Sequence, residues 1–273
     1  MQRQYHYFEY QKALLHYSSY GRGNKILLCF HGFGQSSAHF QKLEEALNEE
    51  YIIYSFDLFY HGKSFWHEKE KPLSKFFWNE LMSQFLKETN IDRFALLGFS
   101  MGGKFALATL ENFFLQVDKF ILIAPDGVKT NFWYSLATYP FWMRKLFRSV
   151  ILKPKIYVAA VNVLGSLKLI DKGVLRFANT QMMTREQRRR VYYSWIVFRE
   201  LKFDMKDIAF LLNKNHIQME MFLGEYDKII TQKNMKSLLE QLDSYSLNIL
   251  KSGHTHLLDA VANFYHNKPV NGK

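Results

Sequence analysis

Gly98-Phe99-Ser100-Met101-Gly102 places a hydroxyl between two glycines directly after the apolar run Phe94–Leu97. A serine in a G-x-S-x-G turn between a strand and a helix sits on a strained backbone that pushes its oxygen into a cleft. The chemistry this suits is nucleophilic attack on a carbonyl. The glycines are a steric requirement of so tight a turn. After them, Phe105, Leu107, Ala108, Leu110 and Phe114 recur at helical spacing over 102–115, an apolar stripe along one face. Ser100 is therefore expected at the carboxyl end of a strand and the amino end of a helix, where free N–H groups and the helix dipole favour a developing negative charge.

A serine hydroxyl is a weak nucleophile near neutral pH and needs an adjacent base, itself oriented by a carboxylate. Of the ten histidines, His254 is best placed, following Gly253 just after the last apolar run. The acid should precede it in the chain order serine, acid, histidine. Asp227 fits, in the loop Gly224-Glu225-Tyr226-Asp227, with Glu225 and Asp126 as alternatives. His256 is expected to open the last helix. His254-x-His256 with Asp259 lacks a third ligand cluster, so no metal is expected. Asp57, His31 and His61 are expected to brace loops.

These residues need a scaffold. Residues 3–20 alternate in the manner of an edge hairpin. Strands are expected over 26–30, 51–56, 94–97, 119–124, 216–222 and 246–250, with helices over 38–48, 73–88, 101–115, 232–242 and 256–266. That rhythm predicts an α/β fold, a mostly parallel doubly wound sheet with its site at the carboxyl ends of the strands. Between Ala124 and His216 the rhythm breaks into amphipathic, aromatic-rich helical segments. The division expected is a core of 1–126 and 206–273 with an inserted helical cap at 127–205. Thr184-Arg185-Glu186-Gln187 has the form of a capping box opening a helix.

Taken together, these segments resemble the α/β-hydrolase superfamily, specifically its capped members with a serine nucleophile. The likeness extends to His31-Gly32-Phe33-Gly34, similar to the family's oxyanion loop, and to Asp57–Ser64, similar to its D-x-x-G-H-G-x-S turn except that Tyr60 replaces glycine. The resemblance implies Ser100, Asp227 and His254 as catalytic residues and the backbone N–H groups of Phe33 and Met101 as the oxyanion hole. It further implies a carboxylic-ester hydrolase acting on a fairly apolar, small to medium acyl substrate, with no cofactor. Thioester or carbon–carbon cleavage, lyase chemistry and ligand binding without turnover remain open on the same residues.

Charge separates the two regions. Residues 127–205 hold 15 Lys and Arg against 4 Asp and Glu, while the rest holds 21 of each, so the net +11 sits on the expected cap. Such a surplus points to an anionic partner such as a membrane surface, a phosphate-bearing acyl carrier or an acidic substrate. Arg188-Arg189-Arg190 are successive on a helix and share no face, so nucleic acid is not expected. Phe132, Trp133, Tyr134, Tyr139, Phe141, Trp142, Tyr192, Tyr193, Trp195 and Phe198 line an acyl pocket or pack the cap. The first residues lack an apolar signal core, and 156–167 is too short to span a bilayer, so a cytoplasmic location is expected. Cys29 lies within an apolar run as a small hydrophobe, and the tail from Asn267 is expected to fray.

Overall fold

The alternating stretch near the start and the short apolar runs after it become strands: β1 (Gln4–Tyr10), β2 (Ala13–Tyr20), β3 (Lys25–Phe30), β4 (Tyr51–Phe56), β5 (Phe94–Phe99), β6 (Val117–Ile123), β7 (Gln218–Gly224) and β8 (Ser246–Leu250). The computed structural model describes residues 2–129, 134–135, 138–153, 156, 158–159 and 181–267. The eight strands form one sheet in the order β1-β2-β4-β3-β5-β6-β7-β8. From β4 to β8 every pairing is parallel, and only β1 and β2 join antiparallel. This is the mostly parallel α/β sheet that the alternation predicts.

The α-helices described are α1 (Gln41–Leu47), α2 (Lys75–Glu88), α3 (Gly102–Phe113), α4 (Phe141–Leu152), α5 (Arg185–Val197), α6 (Met205–Lys214), α7 (Gln232–Leu239) and α8 (Leu257–Asn267). Helix α1 packs with α8, and α3 packs with α2 and α6. None of them is long and apolar enough to cross a membrane.

Where element ends differ from the sequence expectation, the backbone gives the reason. β6 stops at Ile123 because Ala124 turns into the left-handed region at φ 38°. β7 starts two residues late because His216, at φ 51°, ends α6 in a turn closed by the Ile217 amide on the Leu212 carbonyl at 3.0 Å. The hairpin joining β1 and β2 turns on Gln11 and Lys12, both at positive φ, the geometry that matches the twist of a two-residue hairpin. Helix α8 runs through Asn267, and the tail beyond it lies outside the described residues.

The chain divides into two compact units, one of residues 1–66, 75–129 and 201–273, the other of 67–74 and 130–200. The larger unit owes its core to aromatic packing. Phe30 stacks on Phe56 at 5.3 Å, Phe56 meets Phe85 at 5.0 Å, and Trp78 meets Phe105 at 4.9 Å. All five are fully buried, each contributing about 2–3 kcal/mol by leaving water. Trp78 also donates its indole N–H to Thr109 at 3.0 Å, fixing α2 on α3.

The smaller unit has its own modest core, where Phe147 and Ile151 of α4 meet Tyr192 and Ile196 of α5. The Thr184 capping box forms as its sequence predicts, with the Gln187 amide donating to Thr184 Oγ1 at 3.1 Å and the Thr184 amide to Gln187 Oε1 at 2.9 Å. Residues 67–74 are tied into this unit by the Leu73 amide on the Val197 carbonyl at 2.8 Å and by Glu70 beside Arg148 at 3.6 Å.

Candidate active site

Ser100 sits where β5 turns into α3, at φ 49°. That left-handed backbone is costly for a residue with a Cβ, about 1–2 kcal/mol, so its surroundings must hold it. Three backbone bonds do: the Ser100 amide on the Ile123 carbonyl at 3.0 Å, and the Ser100 carbonyl taking the Gly103 and Asp126 amides, each at 2.8 Å. The flanking glycines are there for close approach. A Cβ on Gly102 would lie 1.9 Å from the Phe30 carbonyl oxygen, and one on Gly98 would lie 2.8 Å from the Gly102 carbonyl oxygen. Gly102 thus lets the start of α3 press against the end of β3, bringing the elbow beside the loop that begins at His31.

His254 stands in a 3-10 turn after β8. Its Nε2 lies 3.0 Å from Ser100 Oγ and its Nδ1 lies 2.6 Å from Asp227 Oδ2. An ionised carboxylate only accepts, so the Nδ1 proton faces Asp227 and the bare Nε2 lone pair faces the serine hydroxyl. Asp227 is buried and anchored, its Oδ1 accepting the Ile229 and Ile230 amides at 2.8 and 3.0 Å. The loops after β7 and β8 are joined by the Glu225 amide on the Leu250 carbonyl and the Tyr226 amide on the Ser252 carbonyl, at 2.8 and 3.1 Å. Gly224 permits that seam, since a Cβ there would lie 2.5 Å from the Ser252 carbonyl oxygen.

The other acids considered are placed elsewhere. Asp126 pairs with the buried Lys104 at 3.1 Å and takes the Gly127 amide at 2.8 Å, while Glu225 is exposed. His256 is exposed and ends the 3-10 turn just ahead of α8, and Asp259 pairs with Lys42 at 2.7 Å. Among the described residues no group of His, Cys, Asp and Glu could hold a metal ion.

The loop after β3 is braced from within. His31 donates Nδ1–H to the Gly32 carbonyl at 2.7 Å and accepts the Leu58 amide on Nε2 at 3.0 Å, which makes it neutral. Gln35 Oε1 accepts the Gly32 amide at 3.1 Å. Phe33 packs edge-on against His61 at 5.1 Å. Met101 directly precedes the first helical residue of α3, so its amide is at the helix start, where N–H groups lack an intrahelical acceptor.

Asp57 organises the next turn. It accepts the Ser37 amide at 2.7 Å, the Lys63 amide at 2.8 Å and His16 Nδ1 at 2.8 Å. Burial opposes its charge, but the Ser37 and Lys63 amides outweigh it and hold the carboxyl below its ordinary value. A Cβ on Gly62 would strike this carboxylate, and Tyr60 adopts φ 65° at the position where the family pattern has glycine.

Two site residues escaped the sequence reading. Phe99 stacks on the His254 ring at 5.4 Å and 28°, and Gly32 leaves room for it, because a Cβ there would come within 3.0 Å of the Phe99 ring. The signal was available: an aromatic residue directly before the serine, on a strand whose side chains alternate faces. Lys104 carried no such signal, since its partner lies 22 positions away.

Residues 25–158 match the sequence pattern of the family described as alpha/beta hydrolase fold. An uncharacterised protein of Mycobacterium tuberculosis is 27% identical over 159 residues, spanning 56% of this chain and 43% of its own length. The chain thus aligns with less than half of that relative. Among solved structures, a thioesterase domain from the curacin biosynthetic pathway superposes with a TM-score of 0.67 at 15% identity, covering 97% of this chain and 98% of its own. A bacterial membrane phospholipase A described as a virulence factor superposes at 0.66 with 18% identity, covering 96% and 84%. At these identities the structural likenesses establish the fold.

Proposed function

We propose, from the premise that this chain belongs to the α/β-hydrolase fold family, that it is a serine hydrolase cleaving a carboxylic ester of a fairly apolar, small to medium acyl group. One observation carries the reading: Ser100 Oγ, His254 and Asp227 form a continuous hydrogen-bonded chain with links of 3.0 and 2.6 Å. In that order, His254 Nε2 takes the hydroxyl proton as Ser100 Oγ attacks the carbonyl carbon. The oxygen that becomes anionic is held by the Phe33 and Met101 amides. His254 returns the proton to the departing alkoxide, leaving an acyl-serine. Water then gives a proton to Nε2, attacks the acyl carbon and releases the acid, restoring the serine. Asp227 keeps the proton on Nδ1 throughout and steadies the imidazolium.

Thioester cleavage follows the same steps with a thiolate leaving group, and one structural neighbour is a thioesterase domain. The test is the initial rate on p-nitrophenyl esters of increasing acyl length, beside acyl thioesters, with Ser100→Ala as control. Ser100-dependent ester turnover with an optimum at a short or middle length is expected, and Ser100→Ala should lower it by about 10⁴- to 10⁶-fold. Turnover confined to thioesters moves the assignment to that class. No turnover on either sinks hydrolysis of activated acyl groups.

A further inference from the structure

Helix α4 carries large apolar side chains on two sides, and the inserted unit uses one of them. Phe147 and Ile151 turn inward, Phe147 lying 5.6 Å from Tyr192 and stacking on Trp195 at 5.4 Å. At 100° per residue, Trp142, Leu146 and Lys153 fall on the roughly opposite side. There Trp142 is 66% and Leu146 52% exposed, with Phe141 at 64% beside them. Cations are interleaved with these side chains. Lys145 and Lys153 are exposed, and Lys145 Nζ and the Arg144 guanidinium lie 4.5 and 5.7 Å from the Phe141 ring.

An indole and a leucine held in water on one helix face call for a partner, and the charge of the unit indicates its sign. Residues 67–74 and 130–200 hold 15 Lys and Arg against 5 Asp and Glu, whereas the remainder is nearly balanced at 21 against 20. We propose that the outer face of α4 docks this protein on an anionic phospholipid bilayer. A bilayer meets both demands at once: phosphates at the depth of the lysines, and the headgroup and acyl boundary, where tryptophan and leucine are favoured, just beneath. An acidic protein satisfies the cations but offers Trp142, Phe141 and Leu146 nothing unless it brings an apolar groove as well. A nucleic acid fits worse, because Arg188 of the arginine triplet turns into the unit and donates to the Met182 and Met183 carbonyls at 3.0 and 2.9 Å.

The inference stands apart from the Ser100 chemistry and is tested without it. The full chain is sedimented with vesicles of phosphatidylcholine alone and of phosphatidylcholine mixed with phosphatidylglycerol. Binding to the anionic vesicles is expected, weakened by added salt, with little on the neutral ones. Each cation near the surface contributes about fivefold in affinity, so Lys145→Glu with Lys153→Glu should weaken binding at least about 20-fold. Trp142→Ser with Leu146→Ser should weaken it several-fold, and Lys145→Arg with Lys153→Arg should preserve it. All six substitutions are at exposed side chains, and circular dichroism checks that each variant is folded. Absence of binding at low salt overturns the proposal, as does binding that ignores the charge reversal. Binding lost with the lysines but untouched by the Trp142 and Leu146 changes replaces docking by diffuse adsorption and also overturns it. Capture by an acidic acyl carrier protein without vesicle binding assigns the face to a protein partner instead.

Discussion

The side chains proposed to act are held in opposite ways in the two units. In the larger one, Ser100, His254 and Asp227 are fixed by backbone contacts that only glycine permits and by amides that leave the carboxylate one geometry. In the smaller one, Trp142, Leu146 and Lys145 are exposed on a helix whose other side packs on α5. The first arrangement has its geometry set before any ligand arrives, as bond-making requires. The second leaves apolar and cationic groups exposed, as reversible attachment to a surface requires. Substitutions in the two regions should therefore fail differently.

The largest effect short of removing the nucleophile is expected from Asp227→Asn, which keeps the shape but permits the wrong imidazole tautomer. Turnover should fall about 10³- to 10⁴-fold, while Glu225→Gln, at an exposed side chain, stays within twofold; initial rates on one ester decide. Asp227→Asn with unimpaired activity would move the role elsewhere. Next comes Gly102→Ala, whose methyl would lie 1.9 Å from the Phe30 carbonyl oxygen. A loss of about 3 kcal/mol in urea unfolding is expected, with activity lost alongside, because the elbow and the loop after β3 are forced apart together.

Legibility followed the same division. The central strands β3, β5, β6 and β7 could be read because burial on both faces demands apolar runs, and the elbow because its serine and two glycines fall within five residues. Asp227 ranks first by its place in the sequence; what sets it apart from Asp126 in the structure is its contact with His254 at 2.6 Å, while Asp126 pairs with Lys104, and the 22 positions between those two leave no trace in spacing. Phe99 left a signal in its place directly before Ser100, but its stacking partner His254, 155 positions away, is set by the fold. In the smaller unit the charge surplus is plain in the sequence, whereas the burial of Arg188 within the arginine triplet is not. The exposed tryptophan lies on α4, where the role of each side chain depends on which face meets α5. Of the ten aromatic residues named there, Tyr192 and Phe198 are buried, Phe141 and Trp142 are exposed, and Phe132 and Trp133 lie outside the described residues.

A smaller effect tests the brace beneath the site. Asp57 is held below its ordinary value of 3.8, so its charged form stabilises the fold above that pH, and the contribution is lost as pH falls through the depressed folded value. Asp57→Asn should cost about 1–3 kcal/mol near neutrality. The gap between the two proteins should narrow below about pH 4, which urea unfolding at stepped pH measures. A gap that widens as pH falls would contradict the assignment. The smallest effect belongs to the other unit, where Trp142→Ser should change unfolding free energy by less than about 0.5 kcal/mol. It should also leave the rate on a short, water-soluble ester within twofold. A large loss on that ester would show that the outer face of α4 serves the chemistry and erase the contrast between the units.

The central claim is that Ser100 is an activated nucleophile, and covalent labelling by a fluorophosphonate followed by peptide mass mapping tests it most directly. One adduct per chain on the Ser100 peptide is predicted, forming orders of magnitude more slowly in His254→Ala. A chain that stays unlabelled, or that carries the adduct on another residue, contradicts it.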